Sequence, residues 1–254
     1  MAAFAPAPKG GHHPAPWRTA SGGFAFDVTA ELVIPEGAVS SSEGGLDLAR
    51  VLVFLLRLWV DPAIRFPVVA SRSFSALKEL PDDEAEIRPV EVEPRAFPLQ
   101  TAEGESATHE SLQWIRDHWR VTNELVSTSK EFALAVDALD RGQFVPNSAL
   151  ALVSLWGALE VLFCPGAGEL RFRVSSFLAA FLEGSGEERA RRQREIARLY
   201  DLRSAAAHGR PRHDPEQLLE TFNLLRDALI EIIERGSIPS DEQLRGLLFG
   251  VTDE

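Results

Sequence analysis

An arginine and a histidine stand five positions apart, Arg203 and His208, in the stretch "YDLRSAAAHGR" at residues 200–210. An imidazole exchanges its proton near neutrality, so it serves as a general base or acid. A guanidinium stays charged and grips a phosphate through two parallel N–H bonds. Together the two groups suffice for attack of a ribose 2′-OH on its own phosphodiester, with neither metal nor cofactor. At about 100° per residue they lie roughly 140° apart around an ideal helix, so they do not share a face as an i, i+4 pair does. They reach one groove if the helix end unwinds, which Gly209 makes easy, or if a second helix end lies opposite. The alanines at 205–207 favour helix and leave the backbone open to close approach. A plainer reading competes. In it His208 bonds the last carbonyls of a helix, whose negative end favours the imidazolium, and Arg203 makes a surface pair with Asp201 or Asp227.

Positioning these groups falls to helices. "GEERARRQREIARLYDLRSAAAHG" (186–209) carries Ile196, Leu199, Leu202 and Ala206 on three- and four-residue spacings, with Gly209 as its stop. Before it, "VPNSALALVSLWGALEVLFCPGAG" opens on Pro146 and Asn147 and is apolar on nearly every side from Leu150 to Phe163. Such a helix is buried all round. It ends at Pro165, Gly166 and Gly168. "RFRVSSFLAAFLEG" (171–184) reads as a short amphipathic helix. "HDPEQLLETFNLLRDALIEIIERG" (213–236) has Asp214 as N-cap, Pro215 in the first turn and Gly236 at its end. Residues 109–142 also have helical periodicity, as one helix or two.

The first part of the chain differs. Seven prolines between residues 35 and 98 separate short apolar runs. "FAFDVTAELVI" (24–34) reads as a strand, "IRFPVVAS" (64–71) as extended chain, and "EIRPVEVEP" (86–94) as an edge strand or extended loop. "VLVFLLRLWV" (51–60) suits a buried strand or a helix. Its length and the Asp61-Pro62 pair favour the strand. The expected fold class is α+β: a C-terminal α-helical bundle preceded by a small β-rich N-terminal module. The expected divisions are a disordered lead-in (1–22), the β-rich module (23–105), the helical bundle (106–236) and an acidic C-terminal tail (237–254) whose Leu/Phe patch docks back.

Composition narrows the function classes. The net charge of −12 argues against a protein that coats nucleic acid over its whole surface. Residues 165–214, however, hold ten arginines and no lysine against seven acids, a local +3 that leaves −15 on the rest. The single cysteine, Cys164, excludes an internal disulfide and reads as a small buried hydrophobe. His12 and His13, side by side in the lead-in, make a poor metal site, and none is expected. The first residues hold no continuous apolar run of a secretory signal, and 51–60 is too short to span a bilayer. The expected location is the cytoplasm, with no membrane partner.

Three blocks in order, "LWGALEVLF" (155–163), "ELRFRVSSFLAAFL" (169–182) and "IARLYDLRSAAAHG" (196–209), resemble the HEPN superfamily, and more narrowly the Apea-like HEPN domains of bacterial defence proteins. The resemblance covers residues 110–235. It implies a helical bundle that forms a homodimer through its motif-bearing helices. For active members it implies metal-independent RNase activity that leaves a 2′,3′-cyclic phosphate. Arg203 and His208 match the family's Arg-x4–6-His motif and take the catalytic roles. Ser204, where many members carry Asn, Asp or His, is a weaker orienting group. Asp201 and Glu160 are supporting residues. Glu160 sits on so apolar a helix that it needs a partner, and an arginine of the motif region is the expected one. Arg171, Arg173, Arg198, Arg210 and Arg212 are the expected RNA contacts. Anti-phage defence is the implied role, with a protein or phage component as trigger through the N-terminal module. The alternative is a non-catalytic HEPN module for dimerisation or for nucleotide or RNA sensing.

Overall fold

The computed structural model describes residues 2–6, 17–21, 24–27, 30–35, 37–39, 42–77, 79, 87–93, 107–164, 168–207 and 215–251, with backbone alone at 2–27, 42–43 and 204–207. The described residues are mostly helical, with short antiparallel strands confined to the first 90 positions. The chain divides into two compact units, Met1–Val53 with Ile64–Pro94, and Phe54–Ala63 with Arg95–Glu254.

In the first unit, β1 (Ala2–Pro6), β2 (Trp17–Ser21) and β3 (Phe24–Asp27) form an antiparallel sheet in that order, with Phe4 opposite Thr19 and Thr19 opposite Phe26. The segment expected to be a disordered lead-in therefore supplies two strands. Backbone pairing needs no apolar payload, and Pro6 is tolerated because it ends an edge strand. The strand expected over 24–34 stops at Asp27, and residues 30–35 hold no regular structure. Helix α1 (Ser42–Trp59) follows, belonging to this unit as far as Val53 and to the second from Phe54, then β4 (Val68–Ala70), the single turn α2 (Phe74–Leu77) and β5 (Ile87–Pro89). β4 and β5 pair antiparallel with Val69 opposite Arg88, as the alternating "EIRPVEVEP" suggests.

Residues 51–60 are helical through Trp59, which corrects the strand reading. The run is the C-terminal part of an 18-residue helix that begins in polar sequence, and length separates helix from buried strand where periodicity does not. Within it, Phe54, Leu55 and Leu58 are buried. So is Arg57, whose Nη1 donates to Asp140 at 2.7 Å.

In the second unit, α3 (His109–Thr128) and α4 (Lys130–Gly142) are two helices joined by one residue. Ser129 donates its backbone N–H to the Leu125 carbonyl and accepts from Phe132 N–H through its hydroxyl, so it closes one helix and opens the next. α5 (Ser148–Phe163) starts where expected. Asn147 Oδ1 accepts from the N–H groups of Ala149 and Leu150. Its apolar length is the centre of the unit: α4, α6 (Leu170–Leu182), α7 (Glu187–Ala207) and α8 (Pro215–Arg235) all pack on it. Trp156, Leu159 and Phe163 are fully enclosed. The stop assigned to Gly209 and the cap assigned to Asp214 lie outside the described residues. α8 ends at Gly236, whose φ of +73° suits a glycine. The tail does dock back, as α9 (Asp241–Phe249) against α6, with Leu244 buried and Ser240 and Gln243 in a capping box. No described helix is long and apolar enough to cross a membrane.

Candidate functional site

Arg203 leaves α7 on the side that faces α5. Its Nη2 lies 3.3 Å from Glu160 Oε1, and the same oxygen accepts from the Tyr200 hydroxyl at 3.0 Å. Both charged side chains are largely enclosed, Arg203 at 23% and Glu160 at 18% exposure, so neither is a freely solvated surface group. The expectation that Glu160 meets an arginine of the motif region is met. The surface partners considered for Arg203 are engaged elsewhere: Asp201 accepts two bonds from Arg171, at 2.6 and 2.7 Å, and Asp227 accepts from Arg192 at 2.9 Å. Arg171 holds the Asp201 carboxyl below the usual aspartate range, its hydrogen bonds acting first. Burial pushes the Asp227 carboxyl up, against the pull of Arg192.

Beneath the guanidinium lies an aromatic floor. Arg203 sits 5.4 Å from the Tyr200 ring centroid, and Trp156 meets that ring edge-on at 5.1 Å and 87°. The Nε–H of Arg203 is buried and has no acceptor among the described residues, and the same holds for Trp156 Nε1–H. Tyr200 and Trp156 were not singled out from sequence. The signal was available: Tyr200 is the only tyrosine of the chain and precedes Arg203 by one helical turn.

His208, Arg210 and Arg212 lie outside the described residues, as does the side chain of Ser204. His12 and His13 lie outside them too. The expected RNA contacts that are described do not form one open basic surface. Arg171 is paired with Asp201, Arg173 with Asp241 on α9 at 3.2 Å, and Arg198 with Glu220 on α8 at 2.7 Å. Two arginines of 189–194 are also balanced by neighbours, Arg191 by Glu188 and Glu195 and Arg192 by Glu195 and Asp227. Exposed pairs of this kind contribute little to stability. Among the described residues no group of three or more His, Cys, Asp or Glu side chains is placed to hold a metal ion.

Burial and the hydrogen bond to Glu160 raise the Tyr200 phenol above the ordinary tyrosine range, and Arg203 pulls the other way. The folded state therefore binds this proton more tightly than the unfolded one. Its contribution to stability is full below the ordinary range and is lost as pH rises through the folded value. Because Tyr200 is alone, tyrosinate absorbance reads it directly. We expect ionisation above the ordinary range in the wild type and at lower pH in Glu160→Gln. An unshifted titration in that variant would argue against the Tyr200–Glu160 bond.

Cys164, beside this cluster, is buried, and desolvation raises its thiol to about 11. It is a packing residue, as read from sequence, and not a nucleophile. Ellman's reagent is expected to react with it only as fast as the protein unfolds; rapid reaction of the native protein would contradict this.

No protein-family model, no curated protein and no solved structure matches this chain.

Proposed function

We propose that the chain is a metal-independent endoribonuclease of the HEPN type, acting in bacterial anti-phage defence. The observation that carries the reading is the setting of Arg203. A permanently charged guanidinium near the end of α7 is fixed by a carboxylate of the central helix and precedes His208 by five residues on the same stretch. In the reaction, the 2′-oxygen bonds to phosphorus and the bond from phosphorus to the 5′-oxygen breaks. The proton of the 2′-OH is exchanged for one on the departing 5′-oxygen. His208 assists that transfer, and Arg203 holds the phosphate and steadies its transition-state charge. Two chains, paired through their motif-bearing helices, bring two Arg203/His208 sets to one cleft. The N-terminal unit takes the trigger, a protein or phage component.

The test is incubation of the purified protein with mixed RNAs in EDTA, followed by analysis of product termini. Fragments ending in 2′,3′-cyclic phosphate are expected. Absence of cleavage on every RNA offered, with dimer intact, would favour a second reading: a non-catalytic HEPN module that dimerises or senses nucleotide or RNA. The paired state of the arginines at 171, 173 and 198 and the net charge of −12 favour that alternative.

A further inference from the structure

α5 carries a single charge, Glu160, in its 16 residues. Most of the helix is enclosed, but one stripe is not. Leu150 is 61% and Val161 38% exposed, Ser154 is exposed, and a Cβ added at Gly157 would meet nothing within 4 Å. These four positions fall within about 60° of one another around the helix, so they make one face. Glu160, at its flank, is answered within the chain by Arg203. A chain with a net charge of −12 repels its own copies, and this stripe has no unpaired acid to add to that repulsion.

The order of the stripe decides its partner. Along the helix the positions are separated by four, three and four residues, and the side chains run large, small, small, large. Reversed, the series fits itself. Two copies laid antiparallel, about a two-fold axis between residues 155 and 156, set Leu150 against the partner's Val161 and Ser154 against the partner's Gly157. Each contact then occurs twice, as an isologous interface requires. The small central pair lets the two helices approach closely, and the larger residues fill the space on either side.

We infer that this stripe of α5 is the surface on which two copies of the chain pair. The two-fold axis lies in the plane of contact, so both Glu160–Arg203 pairs fall on the same flank of the dimer. The two Glu160 residues stand about 13 Å apart along the helix direction. α5 makes the contact, and α7 brings Arg203 to its edge. The use of that flank as a shared cleft rests on the ribonuclease reading; the pairing face does not.

Ser154→Glu tests the inference. The position is exposed and glutamate is the better helix former, so the single chain keeps its fold. In the pair, two carboxylates would crowd the centre, and the dimer dissociation constant, read by sedimentation equilibrium, is expected to rise about 100-fold or more. Gly157→Lys should act likewise through two ammonium groups. Mixed in equal amounts, the two variants should recover the dimer, because the carboxylate of one chain then meets the ammonium of the other. A second measurement adds no charge. Leu150→Cys mixed with Val161→Cys should be joined between chains by a short bis-maleimide, and neither variant alone should be.

Wild-type chain that stays monomeric at every concentration overturns the inference; the stripe then receives a different protein or another stretch of its own chain. So does a dimer whose mass survives both charged variants, or one in which neither the mixed charges nor the mixed cysteines pair. None of these measurements involves RNA. A dimer that forms as described without cleaving any RNA therefore leaves the inference standing and removes only the ribonuclease reading.

Discussion

Replacing His208 by alanine should lower the rate of RNA cleavage in EDTA by about 10²–10⁴-fold, the usual contribution of a positioned general acid or base. Arg203→Ala should cost at least as much, for two reasons. It removes the cation that steadies the phosphate, and it leaves Glu160 enclosed on an apolar helix without its charged partner. The two variants are therefore expected to part company in stability. His208→Ala melts with the wild type, whereas Arg203→Ala melts lower. Rates, melting curves and the dimer mass, measured on the same preparations, separate chemistry from folding. Cleavage that survives in His208→Ala would remove the histidine from the mechanism and turn the balance toward the sensing module.

The second large effect is in the core. Phe181→Ala, on α6, should destabilise the helical unit by ~3–5 kcal/mol and lower its melting temperature by roughly 10 °C. Phe181 is almost fully enclosed and packs on Phe163 with ring centroids 5.3 Å apart. It also lies 4.2 Å beneath the Arg235 guanidinium, whose Nη2 donates to the Phe181 carbonyl. The substitution thus empties a ring-sized volume where α5, α6 and the end of α8 meet, and strips Arg235 of its aromatic face. Thermal melting followed by far-UV dichroism checks it. A loss below ~1 kcal/mol would mean that the site collapses around the missing ring.

The helices were legible wherever their ends carry chemical marks. α5 opens on Asn147 and α8 closes on Gly236, as the sequence suggests. In α1 the run 51–60 is apolar apart from Arg57, so its period does not separate helix from buried strand, and only the polar lead-in reveals a helix. In the site, the Glu160–Arg203 pair could be anticipated from one rule, that a carboxylate on an apolar helix must find a cation. Tyr200 carries a fainter mark, as the only tyrosine of the chain one turn before Arg203; that its hydroxyl meets a carboxylate shows only in the fold. The partners of the arginines were hidden for another reason. Asp241 and Glu220 neutralise Arg173 and Arg198 from 68 and 22 positions away, a distance over which charge patterning along the chain has no meaning.

The single residue between α3 and α4 has a consequence of its own. Ser129 belongs to both helices at once, so the joint is an elbow with no slack. Fraying at the end of one helix removes the cap of the other, and the two should lose protection against hydrogen exchange together, as one unit and not as separate rods. A residue inserted there would leave one helix end uncapped. The joint is therefore a place where the length of the chain, more than the identity of its side chains, is under constraint.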